Sequence, residues 1–116
     1  MEIDERPSGD VLVLDLRGKF TAGEGDTAIK NKILQLAATG PRKIVLNFAD
    51  VTYMDSVGLS TMVRSRLTLQ QQGGELKLLC LPRRIADLLA VTRLTMVFET
   101  FDDEPAAIRS FQSRDK

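Results

Sequence analysis

Compact apolar runs alternate along the chain with segments in which apolar residues recur every three or four positions. The first spacing suits strands, and the second suits helices that pack by one face. Ile3 marks a short strand over Glu2 to Arg6, Pro7 to Asp10 has the composition of a tight turn, and Val11 to Leu16 forms a longer strand. The chain therefore opens with a hairpin. Its second strand is apolar on nearly every position, which requires cover on both faces of the sheet. A loop from Gly18 to Gly25 leads into a helix whose inner stripe is Ile29, Ile33, Leu36 and Ala37, stopped by Gly40 and Pro41.

Ile44 to Phe48 reads as the central buried strand, and Ala49 to Met54 leads from it into the next helix. That helix carries Leu59, Met62, Val63 and Leu67 as its inward stripe. Thr61, Arg64, Ser65, Thr68 and Gln72 project from the other side, and Gly73 with Gly74 marks the exit. Leu76 to Leu81 is a further strand, and its link through a helix makes a parallel, right-handed βαβ unit. Pro82 suits the first turn of a third helix with Ile85, Leu88 and Leu89 inside, although Arg83 and Arg84 oppose the dipole at its start. Met96 to Phe101 reads as a last short strand. Asp102 and Asp103 then cap a final helix with Pro105 in its first turn and Ala107, Ile108 and Phe111 facing the core. The order β, β, α, β, α, β, α, β, α predicts an α/β fold with a small mixed, mainly parallel sheet and helices packed against it. One domain spans residues 1–112, with a frayed tail over 113–116.

Composition narrows the chemistry more than the fold. The 116 residues are 43% hydrophobic and 28% charged, and 16 Lys and Arg balance 16 Asp and Glu. That balance gives no general footprint for nucleic acid or for an anionic membrane. Histidine is absent, which removes every Ser/His or Cys/His catalytic arrangement and every histidine metal site. Cys80 is the single cysteine and lies in an apolar run, so it reads as a small hydrophobe. No cofactor is expected, since the Gly23 and Gly25 pair lacks the glycine, lysine and hydroxyl pattern of a phosphate-binding loop. The absence of a long apolar stretch and of a signal-peptide pattern points to the cytoplasm, without membrane insertion.

Chemistry concentrates at Tyr53 to Leu59, where the most apolar strand meets the best helix. Ser56 stands at the front end of that helix, where free N–H groups and roughly half a positive charge from the aligned peptide dipoles converge. Asp55 or Ser56 caps the helix, and a serine placed there can also carry a phosphate without disrupting the fold.

The run Asp55, Ser56, Val57, Gly58, Leu59, following a strand and Tyr53-Met54, resembles the signature of STAS domains, in particular the bacterial anti-sigma factor antagonists. The resemblance implies that Ser56 is phosphorylated by a partner that is both anti-sigma factor and serine kinase, with a phosphatase to reset it. It also implies a partner-binding patch of Asp55, Val57, Gly58, Thr21, Gly23, Glu24, Thr61 and Arg64. Phosphorylated members commonly carry Ser or Thr where Val57 stands, and many carry an aspartate where Thr21 stands. A second reading is a non-phosphorylated STAS module docked on a larger assembly such as a lipid-transport ATPase complex. A hydrolase using Ser56 has neither a histidine nor a Gly-x-Ser-x-Gly elbow.

Overall fold

A computed structural model describes residues 1–112, so the tail over 113–116 lies outside the described residues. Five strands form one sheet in the order β1-β2-β3-β4-β5: β1 (Glu2–Ser8), β2 (Val11–Phe20), β3 (Lys43–Met54), β4 (Glu75–Leu79) and β5 (Thr100–Phe101). The helices are α1 (Asp26–Thr39), α2 (Ser56–Gln71), α3 (Arg83–Val91) and α4 (Glu104–Gln112). β1 and β2 are antiparallel, and every other pairing is parallel. Ser8 opposes Val11, so the hairpin turn narrows to Gly9 and Asp10, with Gly9 at φ +62°.

The alternation of side chains across β2 sorts the core into two layers. Leu12, Leu14 and Leu16 join Ile44, Leu46, Leu76 and Leu78 beneath α1, α2 and α3. Val11 and Val13 join Val45 and Leu79 beneath Ala107 and Phe111 of α4. Cover on both faces is what the nearly continuous apolar strand required.

Several elements depart from their sequence-based bounds. β2 runs on to Phe20, and β3 takes in Ala49 to Met54, because the two strands stay paired up to Phe20↔Met54. The predicted last strand is mostly not one: Leu94–Met96 is a 3₁₀ turn, and only Thr100–Phe101 joins β4. On α2 the inward stripe is Leu59, Met62, Ser65 and Leu69. Leu67 is 48% exposed, while Ser65 is only 3% exposed. At 100° per residue Leu67 lies nearly opposite Leu69, whereas Ser65 falls beside Met62. The Ser65 hydroxyl donates to the Thr61 carbonyl at 2.7 Å, which satisfies it inside. Asp103 alone of the two aspartates caps α4, accepting from the Ala106 N–H at 3.1 Å. Cys80 is half-buried, and desolvation followed by its acidic neighbours Asp102, Glu104 and Asp103 pushes its thiol up.

Lys77 is the unforeseen core residue. It points beneath α4 at 1% exposure, donates to Ser110 Oγ at 2.7 Å, and holds its ammonium 4.2 Å from the Phe111 ring centroid. A Glu99 carboxylate oxygen lies 3.5 Å away. A buried cation is tolerable here because ring, hydroxyl and carboxylate replace its water.

Phe111→Ala is expected to lower unfolding free energy by about 3–5 kcal/mol, since it empties the α4 layer and bares Lys77. Val91→Ala, on a highly exposed side chain, is expected to stay within about 0.5 kcal/mol. Urea titration of both variants checks this, and a Phe111→Ala loss as small as that of Val91→Ala would contradict a packed second layer.

Candidate phosphoacceptor site at the start of α2

The parallel strands β2 and β3 deliver two segments to one end of the sheet: the Thr21 turn and Asp55. Asp55 is the N-cap of α2, with extended backbone at ψ −175°. One carboxylate oxygen, Oδ1, accepts from the Gly58 N–H at 2.9 Å. The other, Oδ2, accepts from the Ala22 N–H at 3.1 Å. A single side chain thus closes the helix end and ties it to the turn before α1. These two donors, Gly58 first, hold the Asp55 carboxyl below the usual carboxylate range.

The turn is itself closed by backbone bonds. The Thr21 carbonyl accepts from the N–H groups of Glu24, Gly25 and Asp26, and the Gly23 N–H donates to Asp26 Oδ1 at 2.8 Å. Gly23 takes φ +82°, a conformation that favours glycine. Gly58 is glycine for a different reason. A Cβ there would lie 2.1 Å from the Phe20 carbonyl oxygen, so the first turn of α2 can rest on the end of β2 only without a side chain. Gly58 is therefore buried, and it offers a partner no surface of its own.

Ser56 is the first residue of α2 and is exposed. Among the described residues no group hydrogen-bonds its hydroxyl. Val57 beside it is 39% exposed. The hydroxyl opens onto a groove of about 380 Å³ between α1 and α2, lined in part by Thr27, Lys30, Ser60, Thr61 and Arg64. Asp55, Val57, Thr21, Gly23 and Glu24 gather around the same helix end. Thr61 and Arg64 follow one to two turns along the groove, with the Thr61 hydroxyl donating to the Val57 carbonyl at 2.9 Å. Sequence reasoning missed three participants. Ala22 acts through its backbone N–H, Phe20 through its carbonyl, and Lys30 reaches the groove from a different helix. The residue types of Ala22 and Phe20 carry no signal for these roles.

The arrangement has the features of a helix start that can hold a phosphoryl group. Near Ser56 the Asp55 carboxylate accepts from two N–H groups, and Asp26, which lines the same groove, accepts from the Gly23 N–H. A phosphate on Ser56 would face the positive end of α2.

Gly58→Ala is expected to destabilise the fold by about 1–3 kcal/mol, because the backbone contact with Phe20 cannot yield as a flexible side chain would. Calorimetry checks this, and an unchanged melting temperature would contradict the close approach. Asp55→Ala is expected to be less stable than the native chain at neutral pH. Its folded carboxyl titrates below the ordinary value, so the stabilisation is present above that value and is lost as pH falls through the lowered one. The gap between the two proteins should therefore narrow in acid, and a gap that widens would contradict the capping role.

The sequence pattern of the STAS domain matches residues 2–107. The anti-sigma-B factor antagonist of Bacillus subtilis (strain 168) is 34% identical over 82 residues, covering 67% of this chain and 74% of its own length. Among solved structures, TM1081 from Thermotoga maritima superimposes with a TM-score of 0.86 at 21% identity, covering 93% of this chain and 92% of that one. The unphosphorylated form of the anti-sigma factor antagonist SpoIIAA gives a TM-score of 0.72 at 19% identity, with 96% and 98% covered. SpoIIAA from Bacillus in its phosphorylated form gives 0.74 at 20% identity, with 95% and 99% covered. These structures share the fold, and the aligned sequence carries the kinship: the chain belongs to the STAS domain family.

Proposed function

We propose that the chain is an anti-sigma factor antagonist that works as a phosphorylation-controlled binding switch. With Ser56 unmodified, it captures an anti-sigma factor that has serine kinase activity, and a sigma factor is released. Phosphoryl transfer from the partner's ATP to Ser56 ends the capture, and a phosphatase resets it. The observation that carries this reading is the free, exposed hydroxyl of Ser56 at a helix start that Asp55 already caps. Ser56 has no structural duty there, so modification leaves the fold intact. The Bacillus subtilis relative is named an anti-sigma-B factor antagonist, and SpoIIAA, which shares the fold, has been solved in unphosphorylated and phosphorylated forms.

The switch is electrostatic and local. A phosphate adds about −1.5 to −2 charges at pH 7 beside Asp55, on a surface formed by Val57, Thr21, Glu24, Thr61 and Arg64. An acidic or apolar partner surface apposed to that position meets repulsion and lost hydration. The chain itself needs no catalytic residue for this, because the kinase supplies the chemistry.

Incubation with a cognate kinase and ATP is expected to add one phosphoryl group to the native chain and none to Ser56→Ala, read by intact mass. Transfer to another residue, or equal transfer to both proteins, would refute the assignment. Ser56→Glu is expected to keep the native circular dichroism spectrum while its affinity for the partner falls ~10² to 10³-fold, each tenfold step being 1.4 kcal/mol. Unchanged affinity would reject the charge switch.

A further inference from the structure

The side of β3 away from the Thr21 turn is left partly uncovered by the sheet. β3 pairs with β2 through Met54, but with β4 only from Lys43 to Asn47, where β4 stops opposite at Leu79. From Phe48 to Met54 the side of β3 that faces away from β2 has no strand partner among the described residues. Ala49, Asp50, Thr52 and Tyr53 on this overhang are exposed. An unpaired strand edge presents a row of backbone donors and acceptors ready to pair with another extended chain.

Beside the overhang, where α3 begins, is a cavity of about 350 Å³. Val51, Met54, Ile85 and Leu88 give it an apolar floor, and Tyr53, 52% exposed, forms a wall. Arg83 and Arg84 also line it, and both are exposed. Neither guanidinium has an ion pair or hydrogen bond among the described residues. Two adjacent cations at the start of a helix are unfavourable for the helix itself, so folding gives no reason for them.

We propose that this corner binds the C-terminal end of an extended peptide whose last side chain is apolar. The backbone of such a peptide pairs with the free edge of β3, its final side chain fills the cavity, and its terminal carboxylate meets Arg83 and Arg84. Each part corresponds to a different observation, and strand addition with a side-chain pocket is an established mode of peptide recognition. Arginine pairs with a carboxylate through two parallel hydrogen bonds, which favours a planar chain end over a point charge. A free fatty acid could use the cavity and the arginines, but it would leave the strand edge unpaired. The site is separate from the Ser56 hydroxyl and does not depend on the proposed switch.

The test titrates the full chain into a fluorescein-labelled octapeptide of alternating threonine and valine that ends in a free valine carboxylate, read by fluorescence anisotropy. Saturable binding is expected, weakened about tenfold or more by amidation of the peptide's C-terminus and equally by the double variant Arg83→Glu, Arg84→Glu. That variant should fold at least as well as the native chain, because acidic residues suit a helix start. Amide NMR shifts are expected to concentrate on Thr52, Tyr53 and Met54. Absence of saturable binding, equal affinity for the amidated peptide, unchanged affinity in the double variant, or shifts confined elsewhere would each overturn the proposal. Decanoate shifting the same amides while the peptide does not would assign the corner to small amphiphiles and overturn the peptide reading.

Discussion

The carboxylate of Asp55 is the contact on which the end of the molecule that carries Ser56 depends. Its two oxygens accept from N–H groups that belong to different βα junctions, Gly58 at the start of α2 and Ala22 in the turn before α1. Neither donor has a helical or strand partner to fall back on, so the carboxylate satisfies both junctions at once. The Gly58 to Phe20 approach fixes the distance between the same two segments from the other side. Capping by Asp55 also leaves the Ser56 hydroxyl without a structural role. A residue that is exposed and idle at the positive end of a helix can gain or lose a phosphate without disturbing what lies beneath it.

That end of the molecule is held out by an asymmetry in the sheet. β2 and β3 remain paired well beyond the point where β4 stops, so a two-stranded extension carries both junctions away from the centre. On one side of it lie the Thr21 turn and Ser56; on the other lies the corner lined by Arg83 and Arg84. Below, packing is conventional, with a leucine-rich layer under three helices and a valine-rich layer under α4. The Lys77 ammonium in the second layer ties α4 to β4 through Ser110 and Phe111.

A chain with no net charge still carries strong local fields. Arg6 bridges Asp15 on β2 and Glu104 on α4, which holds the Asp15 carboxyl below its usual range and joins the hairpin to the last helix. That pairing is partly exposed, so water and salt weaken it. Lys30, Arg64 and Asp26 line the same groove as Ser56.

The sequence by itself determined the element order, the two-sided core and the place of Ser56. Each is written in short-range signals: compact apolar runs, apolar residues spaced three or four apart, glycine and proline stops, and a capping residue before a helical stripe. Inverting Ser65 and Leu67 on α2 shows the limit of those signals, since a helix with apolar residues on more than one side is oriented only by what it packs against. The 3₁₀ turn at Leu94–Met96 and the brevity of β5 likewise accompany the path by which the chain leaves α3 to pair beside β4. Tertiary structure alone decided that Asp55 reaches Ala22, that Phe20 forbids a side chain at position 58, that Lys77 is buried, and that β3 overhangs β4. These are contacts between segments distant in the chain, made by backbone atoms or by the ends of long side chains, and residue identity does not encode them.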